Sequence, residues 1–217
     1  VYRHPGIGTE LLIDRNAEKA ALETAAKLGL DDTFVFENPR RGWKISKFVV
    51  NCKNLDAHNA EQLDQAMRMA RKLHESNAKV ERSFSFYDEG RNYERSLLAR
   101  GPMSVNDWQE MSDQAAKLNE YLMADGGEPV LCHNDFFGLN FLIDEGGNTS
   151  LIDWEYAGMG DYANDFGTFC VCEQLSEDEM LQALTSYFDR TPTDAEWRHN
   201  LGQVGMAGWC WYAWSLL

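Results

Sequence analysis

Val130-Leu-Cys-His-Asn-Asp-Phe-Phe-Gly-Leu-Asn-Phe-Leu-Ile-Asp144, followed closely by Ser150-Leu-Ile-Asp-Trp-Glu155, decides how the chain is read. An apolar run enters His133-x-Asp135, Asn140 stands five residues after that aspartate, and a short β-type run continues to Ile143. The acidic, glycine-rich turn Asp144–Asn148 then reverses the chain into a second apolar run ending at Asp153. Such a hairpin predicts three functional side chains at one mouth. Asp135 is suited to accept a proton from an attacking hydroxyl, while Asn140 and Asp153 offer hard oxygens to Mg²⁺.

Phosphoryl transfer needs this set, because a metal neutralises phosphate oxygens while a carboxylate orients the nucleophile. The spacing His-x-Asp-x-x-x-x-Asn is that of the protein-kinase catalytic loop, with Asp153 at the place of the next metal-binding aspartate. Two departures point away from protein kinases: Asn134 replaces the usual basic residue, and Trp154-Glu155 follows Asp153. The stretch resembles small-molecule kinases of the choline/ethanolamine kinase and aminoglycoside phosphotransferase group. That resemblance implies a kinase-like α+β fold, with a partial N-lobe over residues 1–52 and a largely helical C-lobe over 53–217. It also implies ATP and Mg²⁺ as cofactors, and a supporting role for His133 beneath the loop.

The composition sets bounds. A chain of 217 residues with 44% hydrophobic and 12% aromatic content fits one globular domain or two lobes of one. A net charge of −15 argues against nucleic acid and suits a cationic substrate. No stretch reaches transmembrane length, so no membrane insertion and a cytoplasmic location are expected. The five cysteines lack paired zinc spacing, and buried reduced thiols are expected. A homodimer is left open.

From the N-terminus, Val1–Pro5 reads as the end of a strand, Gly6-Ile-Gly8 as a turn, and Leu12–Leu28 as a helix stopped by Gly29. The resemblance extends to Tyr2-Arg-His-Pro-Gly6 and Ile13–Glu18, and implies that Arg3, held by Glu18, contacts the nucleotide phosphates. Thr33–Phe36 and Trp43–Val50 alternate around Asn38–Gly42 as a hairpin. Helices are predicted over Ala60–Glu75 and from Ser104 to Leu122. His58, His74 and His199 show no metal spacing. The first residues read as the third strand of an N-lobe with no glycine-rich loop before it, so the chain is expected to be an inactive fragment.

Beyond Asp153, the segments Trp154–Asp161 and Asn164–Gly167 resemble the same kinases, with Asp165 expected to brace the catalytic loop. Glu173 is the nearest candidate for a substrate-reaching glutamate, with Cys172 as the other residue that could fill that place. Near the C-terminus, Trp211 and Trp214 lie three residues apart on one helix face. Indole faces attract quaternary ammonium, and Trp211-x-x-Trp214-Ser215 resembles the choline-kinase motif that supplies this wall. Glu155, Tyr156, Trp211 and Trp214 are therefore expected to line a pocket for choline or a close amino alcohol. The alternatives are an aminoglycoside or sugar phosphotransferase, and a non-catalytic kinase relative that binds a cation.

Overall fold

The computed structural model describes residues 1–6, 9 and 13–217. The expected turn at Gly6-Ile-Gly8 and helix start at Leu12 fall largely outside the described residues. Helix α1 (Arg15–Leu28) begins where the Asp14 side chain accepts from the backbone N–H groups of Asn16 and Ala17. It ends at Gly29, whose φ of +66° is the left-handed conformation that closes helices. Its buried face carries Ala17, Glu18, Ala21, Leu22 and Ala25, so a glutamate sits among alanines and a leucine.

Strands β1 (Tyr2–Arg3), β2 (Phe34–Asn38) and β3 (Trp43–Ser46) form one antiparallel sheet in the order β1-β3-β2. The β2–β3 hairpin turns through Asn38, whose side chain accepts from the Arg41 N–H. Strand β3 stops at Ser46, short of the predicted Val50, and Phe48 and Val50 lie exposed beyond it. Strand β4 (Lys53–Asn54) pairs instead with β6 (Phe141–Ile143), which pairs with β7 (Thr149–Leu151). Strand β5 (Val130–Cys132) does not join that hairpin. It pairs antiparallel with β8 (Gly158–Gly160), so the mouth is assembled from two separate sheets.

Helix α2 (Ala60–His74) buries Leu63, Met67, Ala70 and Leu73, the stripe its sequence predicts. The segments Phe84–Tyr87 and Tyr93–Ala99 contribute to a single helix, α3 (Phe86–Leu98), capped by Ser85. Helix α4 (Trp108–Asp125) starts four residues after Ser104, and Asp107 makes no side-chain cap bond. Helix α5 (Ala163–Glu173) is buried from Ala163 to Cys170 and forms the centre of the helical part. Around it lie α6 (Glu177–Phe188) and α7 (Asp194–Ser215), each opened by a reciprocal capping box. Helices α5 and α7 approach closely at Gly167, where a Cβ would sit 2.7 Å from the Gln203 carbonyl oxygen.

Two apolar clusters result. One joins α1, α2, α5 and the β6–β7 hairpin around Phe136, Phe141, Phe169 and Trp154. The other joins α3, α4 and α7 around Phe86, Trp108 and Trp209. All five cysteines are unpaired; Cys132, Cys170 and Cys210 are buried as expected, whereas Cys172 is exposed. Among the described residues, no helix is long and apolar enough to cross a membrane.

Candidate active site

The loop after β5 is held from below by Asp165, near the start of α5. Its carboxylate accepts from the backbone N–H of His133 at 3.0 Å and of Asn134 at 2.6 Å, and contacts His74 Nε2 at 3.0 Å. Burial alone would raise this carboxyl, but His74, His133 and the donors around it hold it below the usual range. These bonds tie the loop to the start of α5. His74, Cys132 and Asp165 bring potential ligand atoms within 4.8 Å of one another. Protein groups already satisfy them: His74 also meets the Tyr187 hydroxyl at 2.8 Å, and the Cys132 thiol faces the Asp161 carbonyl at 3.2 Å.

Asn134, where a basic residue would stand in protein kinases, adopts φ +66°. Its amide donates to the Tyr156 carbonyl at 3.0 Å and accepts from Asn164 at 3.0 Å. A short polar side chain tolerates this left-handed backbone and satisfies it locally. His133 is fully buried, with Nε2 2.9 Å from the Ile152 carbonyl oxygen and its ring packed against Trp154. It supports the loop.

These ties place Asp135, Asn140 and Asp153 at one mouth. Asn140 Nδ2 donates to the Asp135 carbonyl at 2.7 Å and to its carboxylate at 2.9 Å. Burial raises the Asp135 carboxyl, with the charges of Asp153 and Asp165 adding to it against His133 and the Asn140 bond. Asp153 has φ +67° and receives Arg3 Nη1 at 2.6 Å. Burial works against its charge, yet Arg3 and Lys44 hold its carboxyl below the usual range. Because both Asn140 nitrogen contacts go to Asp135, its amide oxygen remains for another partner. That oxygen and the Asp153 carboxylate are the hard donors a divalent cation such as Mg²⁺ takes.

Two pairings differ from expectation. Arg3 does not pair with Glu18: it spans Asp153 and Glu155, the latter at 2.5 Å. Glu18 is held by Lys44 Nζ at 2.8 Å and by Arg15 at 2.5 Å. The strand order explains this. Strand β3 is central, so Lys44 faces α1, while Arg3 on edge strand β1 reaches across to the loop after β7. Lys44 Nζ also lies 3.8 Å from Asp153, which makes it a site residue that the sequence reading passed over. Glu173 has a partner that the sequence does not announce. One oxygen of its carboxylate accepts from the Gly138 N–H at 2.7 Å, which ties the loop after β5 to α5.

A cavity of about 330 Å³ opens between the sheet and the hairpin, lined by Arg3, Lys44, Ser46, Phe48, Leu142, Ile152 and Asp153 among others. A larger one, about 880 Å³, lies between the start of α1, Pro39 and α3 and touches neither Asp135, Asn140 nor Asp153. Tyr156, whose phenol feels the Asp135 charge, Trp211 and Trp214 form successive perpendicular faces. The Tyr156–Trp211 centroids are 5.6 Å apart at 86°, and those of Trp211–Trp214 6.2 Å apart at 87°. Trp211 is anchored through Nε1 to Thr168 at 3.2 Å, whereas Trp214 is half exposed. Burial, with Glu155 and Asp135 nearby, pushes the Tyr156 phenol up to about 12, so it stays neutral.

A carboxylate at Asp135, an asparagine five residues on and an aspartate across a cleft, carried on this α+β fold, define a kinase-like phosphotransferase. The profile of the phosphotransferase enzyme family matches residues 44–199, and the chain belongs to that family. Among solved structures, it is similar to a choline/ethanolamine kinase family protein from Mesorhizobium loti, with TM-score 0.84 and 24% identity over 99% of this chain and 72% of that one. A choline kinase from Streptococcus pneumoniae gives TM-score 0.85 and 24% identity over 99% of this chain and 76% of that one. A spectinomycin phosphotransferase, solved with ADP and spectinomycin, gives 0.62 and 15% over 93% and 72%. No curated protein matches the chain by sequence.

Proposed function

We propose that the chain transfers the γ-phosphoryl group of ATP to the hydroxyl of choline or a closely related amino alcohol. The observation that carries the choice of acceptor is the set of perpendicular aromatic faces, Tyr156, Trp211 and Trp214, of which Tyr156 is near enough to feel the Asp135 charge. An ammonium group is attracted to the negative faces of such rings, and methylation strengthens its preference for them over water. Asp135 orients the acceptor hydroxyl and takes its proton. Asn140 and Asp153 would hold Mg²⁺, which supplies neutralisation of charge on the phosphate oxygens. In this reading, Arg3 and Lys44 contribute positive charge to the phosphate end of the cleft, with Lys44 rather than Arg3 held by Glu18. Glu155 keeps Arg3 near Asp153, and its own carboxyl is raised by burial and by the Asp153 charge.

The test is ADP release measured with choline, ethanolamine and kanamycin in turn. Choline should be turned over at the highest kcat/KM, ethanolamine less well, and kanamycin not at all. Preference for kanamycin would replace the reading with an aminoglycoside kinase. Trp214→Leu should raise the KM for choline by about 1–2 kcal/mol, roughly 5–30-fold, with kcat little changed, because Trp214 is only half exposed and its contact is partly desolvated. A folded variant with the KM of the parent would remove Trp214 from the cage.

A further inference from the structure

Glu37 of β2 is 1% exposed, and among the described residues neither of its carboxyl oxygens has a donor within hydrogen-bonding distance. It stands opposite Lys44 in the β2–β3 register and faces Glu18 and Arg15 of α1. The nearby cations are already engaged, Lys44 Nζ with Glu18 Oε1 at 2.8 Å and Arg15 with Glu18 Oε2 at 2.5 Å. Asp31, the further carboxyl that feels Lys44, is satisfied by Thr33 at 2.8 and 2.7 Å. A buried carboxylate with no donor is costly, and two adjacent carboxylates do not both stay ionised. A protonated carboxyl, by contrast, has an O–H to give, and the ionised Glu18 is the acceptor beside it.

We infer that Glu37 is a protonated positioning residue, whose carboxyl O–H binds Glu18 and thereby fixes the Glu18–Lys44 pair at the wall of the nucleotide cleft. The inference rests on reading that cleft as the nucleotide site. Burial first, and then the Glu18 charge, pushes the Glu37 carboxyl up to about 8. Glu18 goes the other way: burial opposes its charge, but Lys44 and Arg15 hold it low. Above about pH 8, an ionised Glu37 repels Glu18 and competes for Lys44 Nζ, drawing that cation from its place 3.8 Å from Asp153. The sign follows from linkage. The folded chain holds a proton that the unfolded chain releases in the ordinary glutamate range. The resulting stabilisation is complete below that range and is lost as pH rises through about 8.

The experiment compares the full chain with Glu37→Gln and Glu37→Ala, measuring denaturation midpoint and Mg·ADP affinity from about pH 6 to about pH 9.5, a span that brackets the proton's release. Glutamine keeps an N–H donor that does not titrate, whereas alanine removes it. The wild-type midpoint should fall relative to that of Glu37→Gln up to about pH 8 and run parallel to it above, and wild-type Mg·ADP affinity should drop about tenfold relative to Glu37→Gln as pH rises through about 8. At neutral pH, Glu37→Ala should bind Mg·ADP about tenfold more weakly than wild type, and Glu37→Gln should match wild type. Parallel midpoint curves for wild type and Glu37→Gln would overturn the shared proton. Diverging midpoints with a constant affinity ratio would overturn the positioning role. Absence of Mg·ADP binding in all three proteins would sink the nucleotide reading and the positioning role with it, while the midpoint curves still decide the proton.

Discussion

Asp135→Ala should lower phosphoryl transfer by about 10²–10⁴-fold, the range expected when a positioned general base is removed, and leave Mg·nucleotide affinity within a few-fold of wild type. The reason is a division of labour within the mouth. Asp135 is half-buried and, among the described residues, its carboxylate is bonded to Asn140 alone, which keeps the Asp135 backbone oxygen as a partner at 2.7 Å when the carboxylate is gone. The metal-binding groups therefore stay in place. Asp153→Ala should behave differently: it deletes the carboxylate that Arg3 and Lys44 share, and nucleotide binding should lose its dependence on Mg²⁺. The pH profile adds a check. Burial raises the Asp135 carboxyl, and only its ionised form accepts a proton. The acid limb of kcat should thus lie above the ordinary aspartate range in wild type and vanish in Asp135→Ala. Turnover near wild type from the alanine variant would take Asp135 out of the mechanism.

What the sequence disclosed, and what it withheld, follows from how local each interaction is. Asp135, Asn140 and Asp153 were legible because they lie within one short stretch, where spacing and the β6–β7 turn bring them together. The Asp144 side chain closes that turn by accepting from Gly146 and Asn148 at 2.8 and 2.9 Å. The stripe of α2 and the Gly29 stop were legible for the same reason. Partner choice across the sheet was not. Arg3 and Lys44 both read as strand cations, and only the order β1-β3-β2 sets Lys44 in the centre against Glu18. The pairing of β5 with β8 joins residues nearly thirty positions apart, and hydrophobic alternation in three-residue strands carries no information about it. The tie of Glu173 to the Gly138 N–H was not legible either, because it depends on how α5 packs against a loop 35 residues away. Glu37 gave no signal, because a glutamate in a hairpin strand reads as solvated until its burial is known.

Asp165→Ala should cost about 3–5 kcal/mol of folding stability, a large share of the roughly 5–15 kcal/mol that a typical domain has. Asp165 is fully buried, and alanine would strand the His133 and Asn134 N–H groups and leave His74 Nε2 without its carboxylate. Each unpaired buried donor costs about 1–3 kcal/mol, and no water-facing route relieves them. Asp165→Asn should fall between the two. Its amide oxygen can replace one acceptor, but its NH₂ would confront whichever backbone N–H remains. Denaturant unfolding gives the energies, and hydrogen exchange at His133 and Asn134 shows whether the loss is local. The pH dependence has a definite sign. The Asp165 carboxyl is held below its ordinary range in the fold, so its contribution is present above that range and lost as pH falls through the folded value. The gap between wild type and Asp165→Ala should therefore narrow in acid. Because the same carboxylate fixes the backbone two residues before the base, even the folded fraction of the variant should show a reduced kcat. Full kcat in that fraction would mean that Asp135 is positioned by Asn140 and the Gly138–Glu173 tie alone.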